Sequence, residues 1–272
     1  MTAILDRCGK AALIEYLAEC ATVCDLSPEI ALTVTQACCR QHDGREVDDV
    51  SMSQMLELQR RWYASLETRQ PDYSVYADPY YFCEVWLCWV KYSRIYLKAI
   101  EQDRLAYHDP RSIMDLGCGF GYTTAALKNI FPDAVVAGTN LPDSAQWRLA
   151  SKLATQHNFE VLDGTVGRHV DLVFASEYFE HFESPIDHLR TVLSLYTPST
   201  LIVANTFSGY AIGHFLEYRT PSGSYIPGKS MSRVFNATLR DAGYSQRQHG
   251  YWNNRPMVWV KRDCEILEKF FI

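Results

Sequence analysis

Asp115-Leu116-Gly117-Cys118-Gly119-Phe120-Gly121 carries the sharpest chemical signal in this 272-residue chain. It follows a short apolar run, Ser112 to Leu116, and precedes a stretch with helical spacing. Glycines at such a junction let backbone approach a ligand without a Cβ in the way, and they permit positive φ. In open α/β sheets the ligand sits beyond the carboxyl end of the strand. The spacing is GxGxG, not the GxGxxG of a dinucleotide site, and no Lys-Ser/Thr pair follows as in a Walker A loop. A helix N-terminus suits phosphate. Asp115 instead favours a cationic or hydroxyl-bearing ligand.

A second group lies in "ASEYFEHF", residues 175–182. His181 follows a strand on the same side as the glycine loop, and an unperturbed His titrates near neutrality. It reads equally as a general base or as the residue that holds its own loop. Glu177 is the other catalytic candidate, placed to approach a bound ligand. Glu180 reads as an acceptor for backbone N–H groups of the next turn. Tyr178 either lines a substrate pocket or packs. His214, Tyr218 and Arg219 follow a later strand, where substrate residues and solvated loops are equally common. Tyr80, Tyr81 and Trp86 form a candidate lid, with Trp86 read as core.

The ordered series resembles the class I S-adenosylmethionine-dependent methyltransferases of the small-molecule type. Asp115 to Gly121 is similar to their first motif. "VVAGTNL", Val135 to Leu141, resembles their second strand, and Leu162-Asp163-Gly164 their third-strand turn. "DLVFASEYFEHF", Asp171 to Phe182, looks like their fourth-strand segment, and "SPIDHLRTVLSLYTPSTLIVAN" like the following helix and fifth strand. The likeness covers about residues 111–262.

The resemblance implies S-adenosylmethionine as cofactor. It implies contacts from Asp115, Gly117, Cys118, Gly119, Tyr122, Asn140, Leu141, Asp163, Gly164, Ser176 and Glu177. Acceptor contacts are expected from Tyr81, Tyr178, His214 and Tyr218. No metal site is read. The second strand ends in Asn140 where the family carries an acid for the ribose hydroxyls. Asn accepts the same hydrogen bond without charge assistance. Methyl transfer from a sulfonium is an in-line displacement, so positioning supplies much of the rate. A base helps when the acceptor is a hydroxyl or protonated amine.

The net charge of −6 excludes a globally basic nucleic-acid coat. Residues 219–262, however, hold eight basic side chains and one acidic: Arg219, Lys229, Arg233, Arg240, Arg247, Arg255, Lys261 and Arg262 against Asp241. That block could meet an anionic small molecule or a nucleic acid, or pair with the acidic N-terminal region. The small-molecule acceptor is favoured. A nucleic-acid enzyme and a non-catalytic scaffold of the same fold are the alternatives. Nine cysteines with no CxxC spacing read as reduced, buried thiols, and hence as a cytoplasmic protein. No secretory leader or membrane span is visible. Oligomeric state is left open.

Positioning these residues requires two kinds of structure. Before Pro110 the pattern is helical. Helices are expected around Leu13 to Ala21, after Ser27-Pro28, over Ser51 to Glu67, and as one unbroken helix from about Pro79 to Glu101. In the last of these, Val85, Trp89, Tyr92 and Tyr96 form a buried stripe. After Pro110, short strands alternate with helices, which implies a parallel sheet covered on both faces. The closing strands, Tyr244 to His249 and Pro256 to Lys261, should pair as a hairpin turning at Asn253-Asn254. The expected architecture is a Rossmann-like, doubly wound, mostly parallel seven-stranded sheet with a C-terminal antiparallel hairpin over residues 108–272. A helical cap over residues 1–107 precedes it.

Overall fold

The computed structural model describes residues 4–44, 49–107, 109–164, 166–247 and 255–262. The expected hairpin turn at Asn253-Asn254 lies outside them.

The alternating half folds as its pattern requires. β1 (Ser112–Leu116), β2 (Val135–Asn140), β3 (Glu160–Asp163), β4 (Leu172–Ser176) and β5 (Thr200–Ala204) are parallel. β8 (Tyr244–Arg247) and β9 (Met257–Lys261) run antiparallel at one edge. The seven-stranded order is β3-β2-β1-β4-β5-β9-β8. A right-handed crossover needs a helix between parallel neighbours. α6 (Tyr122–Ile130), α7 (Ala145–His157) and α8 (Pro185–Tyr196) supply these, and α9 (Gly228–Asp241) precedes β8. Local chemistry sets their ends. Ser144 caps α7 by accepting from Trp147 N–H at 3.0 Å, and Pro185 opens α8.

Strand side chains alternate between two buried clusters. Ile113, Leu172, Phe174 and Ile202 face one, while Met114, Val173, Leu201 and Val203 face the other. That is the period of two expected when both faces of a sheet are covered.

The N-terminal helices extend both layers. Leu13, Tyr16 and Leu17 of α1 (Lys10–Val23) and Val34 and Cys38 of α2 (Pro28–His42) join the first cluster. So do Phe82 and Trp86 of α4 (Tyr81–Cys88) and Leu97 of α5 (Arg94–Gln102). Leu58 and Trp62 of α3 (Asp49–Glu67) join the second. Trp86 is core, as expected.

Three expectations are corrected. The helix over Pro79 to Glu101 is interrupted by a π-helical turn, Trp89–Ser93, between α4 and α5. An extra residue in that turn rotates the helix beyond it. Tyr92 therefore leaves the expected stripe and is exposed, while Ser93 turns inward. Second, Cys38 of α2 and Cys83 of α4 are disulfide-bonded, with Cα atoms 5.2 Å apart, so these two are not reduced thiols. Spacing of 45 residues gave no hint of this contact. Third, the loop after β5 contains a two-stranded ribbon, β6 (Glu217–Arg219) with β7 (Tyr225–Pro227). Three-residue strands carry too few positions for a period to show.

Candidate active site

The glycine loop turns from β1 into α6 with positive φ at Gly117, Gly119 and Gly121. Asp115 lies beneath it, 2% exposed, accepting from the hydroxyls of Thr123 and Thr124. Burial pushes its carboxyl up to about 7. It thus ties the strand end to the first turn of α6. Cys118 is also buried, with its N–H donated to the Thr139 carbonyl at 2.9 Å. Tyr122 packs between Tyr16, Trp86 and Trp89.

Asn140 explains the missing acid. Its Nδ2 donates to the Gly119 carbonyl at 2.7 Å, and its Oδ1 accepts from Leu141 N–H at 2.9 Å. A carboxylate could not make the first bond, because it has no proton to give. In register with Asn140 on the neighbouring strand stands Asp163. Leu141, just beyond, is 69% exposed, which is unusual for a large apolar side chain at a strand end. The loop face is open: a Cβ on Gly119 would meet only Val85 of α4, at 4.0 Å. An open face at Gly119, an exposed apolar residue and a carboxylate fit a nucleoside-bearing cofactor.

Beside the loop, at the carboxyl ends of β4 and β5, lies a cluster of buried and half-buried polar side chains, termed the chamber. Ser176 ends β4 and its hydroxyl meets that of Ser93, at 3.3 Å, across from the π-helical turn. Glu177 follows with φ +50°, a strained value for a non-glycine residue. Burial pushes its carboxyl up to about 7, opposed by nearby Arg255. Glu180 is fully buried. Its Oε1 accepts from Thr206 N–H at 2.5 Å, as expected of a loop anchor, while Oε2 has no hydrogen-bond partner. Burial and the neighbouring Glu177 push its carboxyl up to about 8. Glu177, Glu180 and His214 each bring one donor atom within 4.8 Å of the others. That spacing lies within reach of one small cation, and equally of a proton shared by the carboxyls.

His181 is half-buried and shares a hydrogen bond through Nδ1 with the Tyr76 hydroxyl at 2.9 Å. Burial holds its pKa down at about 3, so it is neutral and weakly basic. His214 donates Nδ1–H to the Gly209 carbonyl at 3.2 Å, and burial brings it down to about 4. The two imidazoles meet edge to face at 5.0 Å. Tyr81 packs edge to face on Tyr76 at 5.0 Å. Glu177, His181, His214 and Tyr81, drawn from segments far apart in sequence, therefore converge.

Two acceptor candidates do not join them. Tyr178 lies against Gly117, and its hydroxyl meets His188 Nε2 at 2.9 Å. Tyr218 is fully buried, with its hydroxyl donated to the Glu180 carbonyl at 3.2 Å. Both rings pack in the second core layer, and the Tyr218 hydroxyl reaches only the backbone of Glu180. The Gly164 carbonyl accepts from Tyr196 at 3.5 Å.

Several chamber residues escaped the sequence reading. Tyr76 stood unassigned in a tyrosine-rich stretch, and Ser93 is turned inward only by the π-helical turn. Asn205, after β5, is 7% exposed with both amide atoms lacking partners. Arg255 was visible only as one member of the basic block. Here it donates from Nη1 to Thr206 Oγ1 at 2.5 Å.

A family of methyltransferase domains matches residues 91–245, more than half the chain. The chain belongs to that family. It is 26% identical over 117 residues to a malonyl-[acyl-carrier protein] O-methyltransferase of Halalkalibacterium halodurans, covering 39% of this chain and 43% of that one. A protein of the same name from Priestia megaterium is 27% identical over 101 residues, covering 35% and 36%. The chain thus matches less than half the length of these relatives. A solved O-methyltransferase family protein from Burkholderia thailandensis shares the fold, with TM-score 0.51, 16% identity, and coverage of 85% of this chain and 71% of that one. Among the described residues, no helix is long and apolar enough to cross a membrane.

Proposed function

We propose that this methyltransferase-family chain transfers a methyl group from S-adenosylmethionine to a hydroxyl or amine of a small molecule. The single observation that carries this reading is the open Gly119 backbone lying beside the polar cluster of Ser176, Glu177, Glu180 and His214 at one sheet edge. When bound, S-adenosylmethionine supplies a methyl group already activated on a sulfonium sulfur.

The chain's own residues do the rest. Gly119 admits the cofactor to the backbone, Gly117 makes room for the Tyr178 ring, and Asn140 fixes the middle of the loop. Asp163 and Leu141 serve the ribose and adenine. The helices of residues 1–107 act as the cap that closes the acceptor side, with Val85 over the loop, Ser93 against Ser176, and Tyr81 and Tyr96 near Glu177. Exclusion of water there strengthens each electrostatic contact.

Glu177 takes the proton from the acceptor. Its carboxyl titrates near 7, which suits a base at neutral pH. His181, held near 3, orients its loop through Tyr76 instead. We place the enzyme in the cytoplasm on the six free cysteines among the described residues, against which the Cys38–Cys83 disulfide counts.

Calorimetry with S-adenosylmethionine and S-adenosylhomocysteine tests the cofactor. Absence of binding by the folded protein at millimolar ligand would sink the reading. A screen of hydroxyl and amine acceptors, read by S-adenosylhomocysteine release, tests the transfer.

A further inference from the structure

The acceptor chamber contains one guanidinium, Arg255, and its surroundings are unusual. Arg255 precedes β9, which runs antiparallel to β5. Its side chain therefore arrives at the carboxyl end of β5, beside Thr206. One fork nitrogen, Nη1, donates to Thr206 Oγ1 at 2.5 Å. Tyr96 lies on the α5 side, near enough for the guanidinium charge to act on its hydroxyl. Glu177 feels its charge but makes no ion pair with it within 4 Å. No other carboxylate among the described residues pairs with it either, whereas nine other ion pairs are formed by surface Lys and Arg side chains.

A half-buried guanidinium without a counter-ion is costly to maintain. The two nearest carboxyls do not supply one at full charge, since burial favours a proton on each. Arginine has five donors in a planar fork, matched to the paired oxygens of a carboxylate or a phosphate. The Nη1 edge is held by Thr206. Among the described residues, nothing hydrogen-bonds Nε or Nη2 and no carboxylate engages them. The fork is therefore fixed on one side and open on the other, as an anion receptor should be.

We propose that Arg255, oriented by Thr206 and flanked by Tyr96, is the subsite for an anionic group on the acceptor, a carboxylate or a phosphate. This rests on the reading of the chamber as the acceptor site. It sharpens that reading to small anionic molecules whose methylated hydroxyl or amine lies within a few bonds of the charge. Arg255 would hold the anion while Glu177, on the same side of the chamber, faces the proton to be removed.

The test is binding to the full chain, loaded with S-adenosylhomocysteine, of three probes: inorganic phosphate, propionate, and the neutral isostere propionamide. Titration calorimetry reads wild type, Arg255→Gln and Arg255→Lys, with circular dichroism confirming that each variant is folded. Wild type should bind phosphate or propionate and not propionamide. Binding should weaken at least tenfold in Arg255→Gln, with Arg255→Lys between the two, since Lys keeps the charge and loses the fork. Preference for phosphate assigns a phosphorylated acceptor, and preference for propionate a carboxylic one. Equal binding of propionamide, unaltered affinity in Arg255→Gln, or binding of neither anion would overturn the subsite. Failure of wild type to bind S-adenosylhomocysteine at all would instead defeat the underlying function, so the two failures are separable.

Discussion

The Asn140 amide donates to the Gly119 carbonyl at 2.7 Å, so the end of β2 holds the centre of the glycine loop. Its other amide atom is engaged too, by Leu141 N–H. The asparagine is therefore a strut between two turns, and its place where the resemblance implied an acid has a structural cause. Asn140→Asp would set carboxylate lone pairs against the Gly119 carbonyl. Loss of this bond with repulsion in its place should cost about 1–3 kcal/mol. The expected outcome is at least tenfold weaker S-adenosylhomocysteine binding and a Tm several degrees lower. Restored family chemistry, with tighter binding and unchanged Tm, would show that the strut is not needed.

Gly213 makes the Tyr76–His181 bond possible. A Cβ there would collide with both the Tyr76 hydroxyl and His181 Nδ1, and its φ of +88° favours glycine regardless. Gly213→Ala should therefore destabilise more than Tyr76→Phe, which removes only the hydroxyl and should cost about 1 kcal/mol. Thermal unfolding of both variants checks the order. Equal Tm values for Gly213→Ala and wild type would mean the loop does not press on this pair.

The pattern along the chain gave away the sheet and the placement of Glu177, His181 and His214 at its carboxyl edge, for identifiable reasons. Strands alternate between two cores, and Gly117 and Gly164 mark strand ends. Motif order then puts the residues after β4 and β5 at one edge. The features that stayed hidden depend on contacts between distant segments. Tyr76 meets His181 across 105 residues, and Cys38 meets Cys83 across 45. Ser93 faces Ser176 only because a π-helical turn rotates it, and no residue type announces such a turn. Arg255 counted in the net charge of its block, but charge arithmetic carries no destination. Other members go elsewhere: Arg240 stacks over Trp259, and Arg262 donates to the Arg240 carbonyl.

Buried titratable groups make stability depend on pH in two opposed ways. Asp115, Glu177 and Glu180 are raised to about 7, 7 and 8 from ordinary values of 3.8, 4.5 and 4.5. Their contribution is complete below the ordinary values and is lost as pH rises through the folded ones. His181, His188 and His214 are lowered from 6.5 to about 3, 4 and 4. Their contribution is complete above 6.5 and is lost as pH falls. Between pH 4.5 and 6.5 the two slopes oppose each other, so ligand-free protein should show a plateau there. Stability should decline from pH 6.5 to 8, where the carboxyl slope acts alone. Urea unfolding across that range checks it, and a steady rise toward pH 8 would contradict the burial of these carboxyls.

Glu180 should set the basicity of Glu177. The two carboxyls face each other inside the chamber, with Glu180 fixed by the Thr206 N–H. Like charges this close cannot both ionise cheaply, so one proton is shared and the pair titrates as a unit. Glu84, Tyr81, Cys88 and Tyr96 from the cap face the same pair, with Arg255 beside β5 and His214 in the loop after it. Of these, Arg255 alone favours the charged form. Glu180→Gln keeps an oxygen for Thr206 and turns a permanent N–H donor toward Glu177. That donor stabilises the Glu177 carboxylate. The acidic limb of the kcat/KM profile, expected near 7 in wild type, should therefore move to lower pH, while KM changes little. Glu177→Gln should instead lower kcat at every pH, typically 10²–10⁴-fold for loss of a general base. An acidic limb that stays in place in Glu180→Gln, in protein with wild-type Tm, would reduce Glu180 to a loop anchor and leave Glu177 acting alone.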